Sequence, residues 1–122
     1  MAEGPMVDEE YVVAEVDSLV SEIELPRKSS GVSAVELSIP WHNAEQQAVA
    51  SLVVEMCGGF TKLLGDASEL KRVSSVFREI ATGSGDSVLT VSGVSAPVEE
   101  FVVVVSVFMT VYEYFNGDAT AD

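Results

Sequence analysis

Phe101-Val-Val-Val-Val-Ser-Val-Phe-Met-Thr-Val-Tyr-Glu-Tyr-Phe115 is the stretch on which the fold turns. From Phe101 to Tyr112 only Ser106 and Thr110 interrupt its apolar character, and no polar face runs along it. Its β-branched and aromatic composition taken alone favours a strand. A helix that is apolar all round is a buried one, however, and the residues just upstream carry helix-start chemistry: Ser95 as cap, Pro97 early, and Glu99 and Glu100 on the positive end of the dipole. Asn116-Gly117 supplies a C-cap. The pattern predicts a central helix, with a long strand as the alternative. The run is well short of the roughly twenty apolar residues of a spanning helix, so no membrane segment is expected.

Upstream of this stretch, Val12, Val13, Val16, Leu19, Val20 and Ile23 follow helical spacing from Asp8 to Glu24, and Pro26 stops the pattern. At about 100° per residue, Asp8, Glu15 and Glu22 line one border of this apolar seam and Glu10, Asp17 and Glu24 the other. A PRKSSG loop follows, and then Val35, Leu37 and Ile39 alternate with Glu36 and Ser38, the signature of a half-buried strand ended by Pro40. Asn43-Ala-Glu-Gln46 reads as a capping box opening a helix over 44–64, in which Gly58-Gly59 marks a close backbone approach or a break. A second box, Asp66-Ala-Ser-Glu69, opens a helix that ends at Gly83, and Val88–Val91 reads as a second strand.

These elements predict one α+β domain over 1–122, mostly helical, with two short strands covered by three or four helices and frayed tails at 1–7 and 117–122. Setting 35–66 over 87–118 at an offset of 52 matches Leu37, Ala44, Val53, Gly65 and Asp66 with Leu89, Ala96, Val105, Gly117 and Asp118. Either a duplication, with helix–strand–helix repeats at 8–66 and 67–118 about a pseudo-twofold axis, or shared patterning would leave so few identities. In outline the order strand, helix, helix resembles ribbon–helix–helix DNA-binding proteins. Those read DNA with basic side chains on the strand, whereas the polar strand positions here are Glu36, Ser38, Thr90 and Ser92, so that activity is not expected.

Charge narrows the function further. The 122 residues carry twenty acids against six Lys and Arg, a net charge of −14, at a mean hydropathy of +0.31. Residues 1–25 contribute −8 and 81–122 contribute −6, and neither segment has a base, while 26–80 is neutral. Salt adaptation usually favours Asp, yet Glu outnumbers Asp fourteen to six. Direct nucleic-acid binding is not expected, because phosphates must be met by Lys and Arg. A single Cys and a single His exclude disulfide frameworks and multi-His metal sites, and no cofactor is expected. The lone thiol, with no leader-like start, suggests a reducing, cytoplasmic setting.

Catalytic constellations are weak. His42 and Cys57, with Asp66 as orienting group, would lie about 22 Å apart along one helix, too far for a dyad. The pairs Glu9-Glu10 and Glu99-Glu100 have no contrast of environment that acid–base work needs, and Gly83-Ser84-Gly85-Asp86 lacks the Lys of a phosphate loop. The acid-bordered seam stands out. It predicts a non-enzymatic module that binds a basic protein partner and blocks its nucleic-acid-binding surface, as a phage antagonist or a nuclease immunity protein would. Its contact acids are Asp8, Glu10, Glu15, Asp17, Glu22 and Glu24, with Glu99 and Glu100 as additions. The alternative is a structural, assembly or chaperone-like subunit, an obligate homo-oligomer such as a homodimer, joined through 98–115 and 44–64.

Overall fold

The computed structural model describes residues 7–23, 39–84 and 87–116. In chain order the described elements are α1 (Glu9–Glu22), α2 (Ala44–Met56), α3 (Phe60–Gly65), α4 (Ala67–Ser84), β1 (Val88–Val91), β2 (Val94–Pro97) and α5 (Val98–Asn116). The fold is α+β and mostly helical, with one antiparallel pair of strands.

Helix, not strand, is the state of the apolar run, and length explains why. As a strand, fifteen residues would extend about 50 Å at about 3.3 Å each, beyond the width of a chain whose radius of gyration is about 14 Å. As a helix, the 19 residues of α5 span only about 28 Å. Seven valines of α5 are buried; each costs up to about 0.7 kcal/mol in helix propensity relative to Ala, while burying each contributes roughly 1.5 kcal/mol or more. Burial decides the outcome. α1, α2, α3, α4 and β2 all pack on α5, and Phe101 meets Phe77 of α4 edge to face at 5.0 Å.

Of the two expected strands, Val88–Val91 is present as β1, but its partner is a strand that was not expected. The first expected strand, 35–39, lies outside the described residues except for Ile39, which is in no strand. Instead β1 pairs with β2 in the register Val88↔Pro97, Leu89↔Ala96, Thr90↔Ser95 and Val91↔Val94. Ser92 and Gly93 turn the chain with φ of 50° and 84°, the double positive φ of a tight two-residue hairpin. Ser95 therefore belongs to β2 rather than capping a helix, and Pro97 ends the ladder, where a missing N–H costs least. Leu89 and Ala96 turn inward together, and the Val98 N–H donates to Ser87 O at 2.9 Å, running the hairpin straight into α5.

Gly58-Gly59 is a break, so the helix expected over 44–64 is two. With Cys57 as the last half-helical residue, Gly58 N–H donates to Glu55 O and Gly59 N–H to Val54 O, the paired closing bonds of a Schellman stop. Both glycines have positive φ, 86° and 122°. Asn43 caps α2 by accepting from Gln46 N–H at 2.8 Å, but Gln46 reaches one residue further back than expected, accepting from His42 N–H. Asp66 accepts from Ser68 N–H and Oγ, whereas Glu69 turns to Arg72 instead of closing the second box. The 52-residue offset pairs this break with the unbroken middle of α5, and Ala44 at the start of α2 with Ala96 in β2.

Candidate protein-binding surface

On α1 the seam is turned inward. Val12, Leu19 and Ile23 are buried, and Val16 and Val20 pack on the same core. Asp8 caps the helix by accepting from Tyr11 N–H at 3.2 Å, and its own N–H donates to Glu99 at 3.1 Å, so the first turns of α1 and α5 lie side by side. Asp8, Glu15 and Glu22 all make hydrogen bonds within the chain, Asp8 and Glu22 from its surface.

Glu15 and Glu22 join a polar network. Glu100 is 7% exposed and accepts from Tyr11 Oη at 2.7 Å and from Gln46 Nε2 at 2.9 Å. These donors, with the positive end of the α5 dipole, make a buried carboxylate tolerable. Gln46 is wholly buried, and its Nε2 also donates to Glu15 at 2.7 Å. His42 places Nδ1 at 2.7 Å from Glu15 and Nε2 at 3.4 Å from Glu22. Burial of its hydroxyl end and the Glu100 carboxylate push the Tyr11 phenol far above its usual range. The hydrogen bond to Glu15 raises His42.

The outer row is free for contact. Glu10 and Asp17 are exposed, as is Glu9, and they surround Val13, which at 59% exposure is the most exposed large apolar side chain among the described residues. At i−4, i−3 and i+4 the three acids are the helical neighbours of Val13. Glu24 lies outside the described residues. Of the eight nominated acids, Glu15 and Glu100 are held inside the chain, Asp8, Glu22 and Glu99 bond within it from its surface, and Glu10 and Asp17 point outward. Sequence reasoning missed Tyr11, His42 and Gln46 as partners of these acids, and Val13 as the outward apolar residue.

A second feature lies beside α2: an open cavity of about 480 Å³ walled by Ile39, Trp41, Val54, Phe60 and Phe108, with Gln47, Ser51 and Glu55 on it. Trp41 and Phe60 both meet Phe108 edge to face, at 5.6 and 6.3 Å. Among the described residues that line it, Glu55 is the one titratable group. Cys57 is buried, and burial pushes its thiol up, away from the reactive thiolate. Among the described residues no group of three or more His, Cys, Asp and Glu is placed to hold a metal ion, and no helix is long and apolar enough to cross a membrane. Most of the apolar side chains of α5, nominated for an oligomer interface, are buried within the chain, while Met109, Tyr112 and Phe115 are partly buried. No family model matches the chain, and no curated protein or solved structure matches it either.

Proposed function

We propose that the chain is a non-enzymatic, acidic protein-binding module that covers a basic, nucleic-acid-binding surface of a partner protein, in the manner of a phage antagonist or an immunity protein. One observation carries the reading: Val13 stands exposed inside a ring of Glu9, Glu10 and Asp17, on a helix that has no Lys or Arg. An apolar contact supplies affinity, and the surrounding carboxylates speed encounter with a basic surface and select against acidic ones. The inner acids support the same reading indirectly, since they fix which face of α1 turns outward. A cytoplasmic setting belongs to the same proposal.

The test is capture from host lysate at low and high salt, using the wild-type chain, a Glu10→Lys/Asp17→Lys double variant, and Glu113→Lys as a control on an exposed acid of α5. A basic protein captured at low salt, released at high salt and lost only with the double variant supports the proposal. Equal capture by the double variant at low salt refutes it. Once the partner is in hand, Val13→Ala should weaken binding about tenfold, because two buried methyl groups contribute roughly 1.5 kcal/mol. The homo-oligomer alternative now rests on the aromatic cavity beside α2 instead of on α5, and a monomer in sedimentation would remove it.

A further inference from the structure

We propose that His42 is a proton-dependent clamp that helps hold α1 on the body of the fold, and that α1 is held less tightly as the pH rises. Each ring nitrogen of His42 faces a carboxylate oxygen of α1, Nδ1 that of Glu15 at 2.7 Å and Nε2 that of Glu22 at 3.4 Å. A neutral imidazole has one N–H and one bare lone pair. Only the imidazolium donates to both carboxylates; losing the proton turns one contact into a lone pair set against an anion.

Among the described residues no other cation is bonded to this network. α1, α2 and α5 contain no Lys or Arg. The ring itself meets Glu15 and Glu22 of α1; Gln46 of α2 joins Glu15 to Glu100 of α5, which Tyr11 of α1 also bonds, and Glu99 of α5 bonds the Asp8 N–H. Gln46 is already fully engaged, with its Oε1 on His42 N–H and its Nε2 shared between Glu15 and Glu100. Deprotonation therefore leaves Glu15, Glu22 and Glu100 on one network with no cation. Val12, Leu19 and Ile23 are buried and Val16 and Val20 are partly buried against the same core, so the clamp adds to an apolar hold on α1 and does not replace it. With 29% of its side chain exposed, His42 exchanges its proton without unfolding.

The sign follows from linkage. Glu15 raises the His42 pKa above its ordinary value, so the stabilisation is complete below the ordinary histidine range and is lost as pH rises through the raised value. The clamp does not depend on the proposed partner contact. If α1 does carry that contact, through Glu10, Val13 and Asp17, the clamp sets the pH range in which the face is presented.

Hydrogen exchange on the full chain, from about pH 5 to about pH 9 around the histidine range and corrected for intrinsic rates, tests this without a partner. Protection of α1 relative to α5 should fall several-fold, on the order of tenfold, and should fall at the midpoint at which the His42 ring titrates by NMR. In His42→Gln, α1 protection should be low and independent of pH. In Glu22→Gln, which needs no loss of the ring, the midpoint should move to lower pH. A flat wild-type profile, the same fall in His42→Gln, an unmoved midpoint in Glu22→Gln, or α5 losing protection in step with α1 would each overturn the proposal.

Discussion

Gln46 is the residue on which α1, α2 and α5 meet. It is wholly buried, and every polar atom of its amide is bonded. Replacing it with Met keeps the bulk but removes a donor from buried Glu100 and an acceptor from the His42 amide. Gln46→Met should therefore destabilise the fold by about 1–3 kcal/mol, whereas Gln47→Met, at an exposed neighbour, should stay within about 0.5 kcal/mol; urea unfolding of the two variants separates them. At this scale the sequence was legible where partners are local. Asn43 caps the helix it precedes, as a cap needs only the next three residues; Asp8, expected as a contact acid, caps α1 in the same way. Partners across the chain were not legible: Gln46 lies 54 positions from Glu100 and His42 lies 27 from Glu15, and one sequence has no signal for such pairings. The inner and outer acid rows of α1 look alike by composition, and only the packing direction of the helix tells them apart.

Among elements α5 dominates, since each of the other four helices packs on it. Phe101 is fully buried in its first turns and meets Phe77 edge to face. Phe101→Ala should cost about 3–5 kcal/mol, enough to unfold many chains of this size, while Phe115→Ala, at a partly buried site near the end of the same helix, should cost clearly less; thermal melts followed by circular dichroism give the comparison. Element types were readable where the pattern was long. α1 and α4 appear as apolar stripes of regular spacing, whereas Gly58-Gly59 read as either a close backbone approach or a break within one helix, and the Schellman bonds show the break. The hairpin was missed because β2 runs straight into the helix that starts at Val98, so that Ser95 and Pro97 read as part of that helix start. The decisive cue was Ser92-Gly93 between two short apolar runs, a two-residue turn.

For the whole molecule, acids from two separate, base-free helices, Asp8 beside α1 and Glu99 and Glu100 of α5, come together in space, because the first turns of α1 and α5 are neighbours. Like charges gathered there oppose folding through self-repulsion. Raising salt from about 0.01 M to about 1 M shrinks the screening length from about 30 Å to about 3 Å, so the melting temperature should rise with salt, and rise less in Glu10→Lys/Asp17→Lys; calorimetry across a salt series checks both. The segmental charge was legible in the sequence, but its convergence needed the packing of α1 on α5. The position of α5 as the last described element also bears on biosynthesis. At about 5–20 residues per second, α1 leaves the ribosome several seconds or more before the helix it packs against has been made. Its 14 residues, like the 13 of α2 and the 6 of α3, are too few to hold a helix firmly alone, since isolated helices shorter than about 12–15 residues are marginal in water. The nascent chain thus waits unfolded, its apolar side chains open to holdases, and the core closes only after translation of α5 is complete.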